Sequence, residues 1–544
     1  MTLKQTQSKI RFVVGPPGTG KTHIWILKKY KELYKLYGAD KLILLSHTNV
    51  ATKELREAIK NLDEIKNDLI VQEDVDSFLE KRIRTIHAYC KAAVKTRREV
   101  FSKKTDYPEL LKVIPLMNLA KGAKTMKDPL KKHPVFRCIS EAHGRGLTIA
   151  EHWNTTEDPL EAYKPYNNHQ IINIKRDYEK WKKDNFIQDY NDMIDNFNRS
   201  TNPHVIDALI VDEAQDSNVP QLTAIEKMSE NIKDGHLYFV GDPNQTIFKF
   251  SGSNPELFET LARTPYVELE EGFRCSEAIN EYCKKIIKPI WDHYDYKRVW
   301  SSTKVKGSVS MLPNLQGSQE LSNLLNKINN SDESFLFTFR AEKSKTWLMP
   351  FLHKHGFKYS LVGGYQKVSD AELNSHYSWP LFLKGVPQSL DQIKSYWKYM
   401  DKDFKLKDSR IFKKMINRDY TFQEFVNLGY LSSLIVSTTD FYNLCKKVKG
   451  DEAQLKFKER VMYIRNVINN NNLNQKAKIE YGNFHTVKGI TRDNVIIDLS
   501  ITRPEPYFEQ LYLAYVGCSR GKNDLWVLRT QTGRELGRKN EYVR

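Results

Sequence analysis

Residues Gly15, Pro16, Pro17, Gly18, Thr19, Gly20, Lys21 and Thr22 spell GPPGTGKT, directly between an apolar run (RFVV, 11–14) and a stretch of helical spacing (KTHIWILKKYKELYKLY, 21–37). Glycines at 15, 18 and 20 let the backbone curl until its N–H groups point inward, with a helix N-terminus behind them, which makes a cradle for phosphate oxygens. Lys21 adds a point charge for the β and γ phosphates of a nucleoside triphosphate, and the Thr22 hydroxyl is placed to ligate Mg2+. The complementary acids lie far along the chain, in LIVDEAQD (209–216). Asp212 ends an apolar run, where a carboxylate can hold Mg2+ through water, and Glu213 beside it can take a proton from an attacking water. An acidic turn could also produce this spelling, but adjacent carboxylates behind the apolar ALIV are costly unless a metal or water uses them. A phosphate loop with paired carboxylates implies hydrolysis rather than binding alone. Hydrolysis also needs positive charge on the departing γ-phosphate, and an arginine finger is typically worth about 10³ to 10⁵ in rate. Arg274 (LEEGFRCSEAI) and Arg520 (LAYVGCSRGKNDLWV) are the candidates.

Such residues must be held at strand ends. KLILLS (41–46) reads as a second buried strand, and short apolar runs between helices mark a parallel sheet. Residues 91–185 lack clear β-runs and carry helical spacing, as in IINIKRDYEKWKKD. The strand pattern returns at DALIVDEAQD (207–216) and HLYFVGDPNQ (236–245), where a Gly-Asp-Pro turn sets Gln245 at a sheet's carboxyl edge, a ligand-binding position. Further strands are expected in SFLFTF (334–339), GFKYSLVGG (356–364), NVIIDLS (494–500) and DLWVLRT (524–530). The polar NVINNNNLNQK (466–476) reads by composition as a loop or linker. The expected organisation is α/β. Residues 1–90 and 186–264 form one sheet body around a helical insertion at 91–185. Residues 265–365 and 476–544 form a second body around a largely helical insertion at 366–475.

Composition narrows the partners. The 544-residue chain is 40% hydrophobic and 28% charged, as expected of a globular protein. No apolar run approaches the roughly 18 residues of a membrane span, and the opening MTLKQTQSKI is too polar for a signal peptide. The six cysteines are scattered without a Cys-x-x-Cys pair, which argues against structural zinc or a disulfide framework and for a reducing cytoplasm. A formal net charge of +18 suggests a polyanionic partner, of which nucleic acid is the commonest. Basic residues cluster at KRIR (81–84), KTRR (95–98) and KGAKTMKDPLKK (121–132).

The order of motifs resembles the superfamily 1 DNA helicases, and within them the UvrD/Rep group. GPPGTGKT and VDEAQD look like motifs I and II, LLSHTNVATKEL (44–55) like Ia, and TIHAYC (85–90) like Ib. DYNDMI (189–194) is similar to the acidic segment before motif II. VGDPNQTIFKFSG (240–252) resembles motif III, and EEGFRCS (270–276) motif IV. Residues 334–364 look like motif IVa, FHTVKGITRDNVIIDL (484–499) like V, and LYLAYVGCSRGK (511–522) like VI. The resemblance implies two RecA-like domains in tandem that use ATP and Mg2+. It implies that Gln245 contacts the γ-phosphate, that Arg274 and Arg520 are the two γ-phosphate arginines, that Gly489 faces the nucleotide, and that Arg340 is either structural or nucleotide-facing. Phe248 and Phe250 match the aromatic positions of motif III, the second being the residue on which a base stacks. Thr48, His87 and His485 match positions along the single strand. Thr491 stands where motif V usually has a glutamate, and Ser251 where an arginine commonly follows the motif III aromatic.

By this resemblance the chain translocates on single-stranded DNA and unwinds duplex from single/double-strand junctions, 3′ to 5′, in the company of replication or repair proteins. With loop and carboxylates on one body and the arginines on the other, binding and hydrolysis would draw the bodies together and release them. Alternatives are a 5′ to 3′ helicase, the branch whose members more often spell GPPGTGKT, an RNA-directed motor, and a nucleotide-gated remodeller that does not unwind.

Overall fold

The apolar runs beside the polar motifs become strands in a computed structural model. It describes residues 10–528 except 39–40, 69–73, 127–128, 202–205, 233–235, 249–251, 254, 305, 314–317, 341–343, 364–367, 406–408, 432–434, 436–440, 446–450, 471, 474–476 and 501–506. The chain is α/β and divides into two units, Met1–Val305 and Lys306–Arg544, each with a six-stranded parallel sheet.

In the first unit β1 (Ile10–Val14), β2 (Leu42–Ser46) and β3 (Ile83–Thr85) precede an insertion bracketed by the short parallel pair β4 (Glu99–Val100) and β5 (Ile187–Gln188). The sheet resumes with β6 (Ala208–Asp212), β7 (Leu237–Gly241) and β8 (Val267–Glu268), in the order β3-β2-β6-β7-β1-β8. Alternate residues leave opposite faces of a strand. Val13, Leu42, Leu44 and Ile210 pack under Tyr30 and Leu33 on one face, while Phe12, Ile43, Leu45 and Val211 pack with Tyr89, Ile225 and Phe258 on the other. Burial on both faces explains why these strands read as unbroken apolar runs. Register pairs Val14 with Gly241 and Asp212 with Val240. The phosphate loop, the acid pair and the GDPNQ turn therefore leave the sheet side by side at one carboxyl edge.

The first insertion is mainly helical and has its own core around Phe101, Phe136, Tyr178 and Trp181. Its last helix, Asn168–Asp184, carries Lys182 at 2% exposure. The Lys182 ammonium lies 2.9 Å from Asp189 Oδ2, 2.8 Å from Asp192 Oδ2 and 3.0 Å from Glu179 Oε2, and the Tyr178 hydroxyl donates to Asp189 at 3.0 Å. Asp189 also caps the helix Tyr190–Arg199, with Asp192 reaching back in a capping box. The acids of DYNDMI thus tie the insertion to the sheet body.

The expected boundary near residue 265 lies elsewhere by contacts. Beyond β8, Leu269 N–H bonds to Val14 O, and Phe273 N–H to Gly18 O. These bonds hold β9 (Glu271–Ser276) and its partner β10 (Ser301–Lys304) in the first unit.

The second unit comprises β11 (Ser308–Leu312), β12 (Phe335–Phe339) and β13 (Tyr359–Leu361), then an insertion containing the antiparallel pair β14 (Gln388–Ser389) and β15 (Asp419–Tyr420), then β16 (Ile479–Asn483), β17 (Arg492–Asp498) and β18 (Gly521–Leu528). The sheet order is β11-β18-β17-β12-β16-β13. The insertion packs around Trp379, Phe382, Tyr396 and Phe441. Its closing helix Asp451–Asn469 sends Tyr463, Ile464 and Val467 into the sheet core beside Phe351 and Leu352. The asparagine run is not simply a linker. It begins inside this helix, and the amides of Asn466, Asn470 and Asn472 donate to the carbonyls of His353 (2.8 Å), His355 (2.8 Å) and Gly356 (2.9 Å). Those carbonyls lie at the C-terminal end of the helix Lys345–His355, where the His353 carbonyl also accepts from the C-cap Gly356 N–H at 3.2 Å.

Removing the ammonium of Lys182 would strand the largely buried carboxylates of Asp189 and Asp192 along with the more exposed Glu179, and breaking a buried pair from one side costs about 3–5 kcal/mol. Lys182→Met is expected to lower the urea midpoint accordingly, and adding Asp189→Asn to recover part of the loss; an unchanged midpoint would show the cluster to be energetically idle.

Candidate nucleotide site

Gly15 N–H donates to Gly241 O at 3.1 Å, pinning the start of the loop to the neighbouring strand. The Thr19 hydroxyl donates to Pro16 O at 2.8 Å and closes the curl. Gly18 has φ +80°, and a Cβ there would lie 2.2 Å from the Cβ of Arg274. Only glycine serves at this position, for both conformation and space. The helix behind the loop opens with a wide π-helical turn, Lys21–Ile26, and continues as Leu27–Tyr37. Lys21 is buried and folds back so that its Nζ donates to Gly15 O (2.6 Å) and Pro16 O (3.1 Å). Burial lowers its pKa, against the pull of Glu213, Asp242 and Asp212 and with the repulsion of Arg274.

Asp212 ends β6 fully inside the protein. Burial, and then the adjacent Glu213, push its carboxyl up to about 7, while Lys21 and a hydrogen bond with the Thr22 side chain oppose the shift. Its Oδ1 is buried without a hydrogen-bond partner. An acceptor oxygen left unmatched beside a hydroxyl, at the foot of a phosphate loop, fits a hard divalent cation such as Mg2+, which takes oxygen ligands. Glu213 follows with φ +52°, a left-handed backbone that costs a non-glycine residue about 1–3 kcal/mol and clusters at functional sites. Gln245 is buried, its Nε2 donating to Asp242 Oδ2 at 2.9 Å.

Residues 2–265 match the family model described as the UvrD/REP helicase N-terminal domain. Through these residues, just under half of its length, the chain is similar to the UvrD/REP helicases. Over 97 residues it is 30% identical to an ATP-dependent helicase/nuclease subunit of Levilactobacillus brevis, covering 16% of this chain and 8% of that protein. Over 153 residues it is 31% identical to the protein of the same name from Clostridium perfringens, covering 23% and 12%. It is 22% identical over 305 residues to the probable DNA helicase II homolog of Mycoplasma capricolum, covering 51% and 39%. The chain thus spans well under half the length of these curated relatives.

Arg274, beyond the matched residues, lies on β9 against the phosphate loop in the first unit, not in the second body where the sequence places it. Phe273, unremarked in the sequence, is 42% exposed while its N–H is fixed to Gly18 O. It offers an aromatic face at the rim of the loop, and the only sequence signal was a lone Phe beside the arginine.

Thr48 and His87 follow β2 and β3 and so share the carboxyl edge with the nucleotide loops. Thr48 is exposed and caps the helix Asn49–Lys60 by accepting from Ala51 N–H at 3.1 Å. His87 is half-buried and meets Tyr190 edge-on at 5.6 Å. Burial and the nearby His143 lower its pKa to about 4, leaving it neutral at neutral pH. Tyr190, also missed in the sequence, is 53% exposed. Phe248 is half-buried, and Phe250 lies outside the described residues. Gly252, with φ +92°, comes so close to the end of the insertion helix Pro134–Gly144 that a Cβ would sit 2.0 Å from Gly144 O. Ser253 bridges to Asn218.

The remaining candidates belong to the second unit. Arg340 follows β12, and His485 sits half-buried on the turn Phe484–Val487 after β16. Gly489 is exposed with φ +84°. Arg520 is buried just before β18, donating to Val516 O (2.7 Å) and Ser519 Oγ (2.9 Å). No helix among the described residues is long and apolar enough to cross a membrane.

Two outcomes follow from the cradle. Gly18→Ala is expected to weaken nucleotide binding by about tenfold or more, measured with a fluorescent ADP analogue; undiminished binding would show that β9 yields. Because the folded protein holds the Asp212 proton more tightly than the unfolded chain, stability in EDTA should fall as pH rises between about 4 and about 7. Asp212→Asn should flatten that slope in thermal melts.

Proposed function

We propose that this chain is an ATP-dependent DNA helicase that moves along single-stranded DNA, 3′ to 5′, and opens duplex. The observation that carries the reading is the unmatched Asp212 Oδ1 beside Thr22, beneath a cradle closed by a buried lysine. Thr22 and Asp212 would hold Mg2+, which when bound neutralises charge on the β and γ phosphates. The loop N–H groups and Lys21 orient the phosphates, Glu213 takes a proton from the attacking water, and Arg274 offsets charge on the γ-phosphate, a role the resemblance gives to Arg520 as well. Phe273 supplies a platform for the base, and the resemblance assigns Gly489 to the nucleotide as well.

Single-stranded DNA is assigned to the carboxyl-edge residues Thr48, His87 and Tyr190, to Phe248 and Phe250, and to His485 in the second unit. Aromatic stacking is worth about 1–3 kcal/mol per base and tolerates any sequence. The net charge of +18 supports a polyanion, with a single-strand salt slope of about −0.7 per phosphate contacted. The names of the relatives, DNA helicase II homolog and helicase/nuclease subunit, point the same way.

Strand displacement on 3′-tailed and 5′-tailed DNA, and on the RNA counterparts, tests the reading. Release from the 3′-tailed DNA alone is expected. Release from the 5′ tail would reverse the polarity, preference for RNA would change the substrate, and ATP hydrolysis without release would make the protein a remodeller. Lys21→Ala and Glu213→Gln should each abolish ATP turnover while single-strand binding survives. Full turnover in either variant would overturn the site assignment.

A further inference from the structure

The Glu213 carboxylate is held by a side chain two residues further along. Gln215 is fully buried, and its Nε2 donates to Glu213 Oε2 at 2.5 Å. Its Oε1 accepts from Asp242 N–H at 3.2 Å. The two ends of the amide thus have different obligations: a donor is needed against the carboxylate and an acceptor against the backbone, so its orientation is determined by its partners. The fit is tight, since a Cβ on Gly241 would lie 2.1 Å from Gln215 Oε1.

The contacts continue beyond Asp242. Its side chain is also fully buried, with Oδ1 accepting from Asn244 N–H at 3.1 Å and Oδ2 from Gln245 Nε2 at 2.9 Å. Glu213, Gln215, Asp242 and Gln245 therefore form one hydrogen-bonded line across the ends of two neighbouring strands. Inside a protein such a line has few alternative partners, so displacement of one member is felt by the next.

We propose that Gln215 is a positioning residue for ATP hydrolysis: it sets the Glu213 carboxylate and, through Asp242, links that setting to the side chain of Gln245. This rests on the reading of Glu213 as the group that receives the proton from water. A Gln245 amide drawn toward a γ-phosphate must leave Asp242 Oδ2. The resulting shift at Asp242 then passes to Gln215 and re-aims Glu213. No bond is made or broken by Gln215 itself. It acts on where the base points, so it should govern turnover and leave nucleotide affinity alone.

The test is steady-state ATP hydrolysis with saturating oligo(dT), comparing the parent with Gln215→Leu, Gln215→Glu, Gln245→Ala and the Gln215→Leu/Gln245→Ala double variant. Gln215→Leu is expected to lower kcat about tenfold or more, the scale of losing one general-base contribution in part, with KM for ATP within about twofold of the parent. Gln215→Glu keeps the shape but, when ionised, cannot donate to Glu213, and should be equally slow. If the two glutamines act through one line, the double variant should be no slower than the slower single one. Parent-like kcat in both Gln215 variants, or losses that multiply in the double variant, would overturn the inference. A Glu213→Gln control separates the two levels: if that variant still turns over, the underlying assignment fails instead. A Gln215→Leu that does not fold leaves Gln215→Glu to decide.

Discussion

Lys21 and Asp212 carry opposite charges out of water at the end of one sheet, and much of the first unit's chemistry follows from that. Neither is comfortable: burial lowers the lysine's pKa and raises that of the aspartate, and their mutual attraction only partly offsets the loss of solvent. The lysine is satisfied by loop carbonyls, whereas one aspartate oxygen is matched by nothing in the protein. A site with a cation already compensated and an anion left short favours a ligand that brings both signs, as a metal-bound triphosphate does. The same tension requires rigidity, because an uncompensated buried carboxylate would otherwise swing toward water.

That rigidity comes from parallel strands in matched register. With Val14 opposite Gly241 and Asp212 opposite Val240, three loops of different chemistry emerge together. The backbone bonds from Gly15 to Gly241 and from Phe273 to Gly18 then lace the phosphate loop to segments far away in sequence. Apolar packing on both sheet faces supplies the stability, while the edge supplies the function.

Local patterns were legible in the sequence, and through-space ones were not. The phosphate loop, the acid pair and most strands of both sheets declare themselves through glycine spacing and apolar runs. The membership of Arg274 does not, because β9 joins the first unit by two backbone hydrogen bonds that no side-chain pattern records. Phe273 and Tyr190 are single aromatics whose exposure is set by neighbours, and most of the chain's aromatics are core. Gln215 sits inside a motif that was recognised, yet its role depends on an amide bridging to a strand two elements away. The asparagine run misled by composition: residues typical of loops here serve as caps for another helix.

The contact between Gly252 and Gly144 has a consequence for how the molecule can change. Where two backbones touch with no side chain between them, there is no compressible cushion, so movement of the turn after Gln245 is delivered to the insertion as a push rather than absorbed. The tip of the helix Pro134–Gly144 is therefore not at liberty to drift. It acts as a bearing surface on which even one added methyl group would have no room.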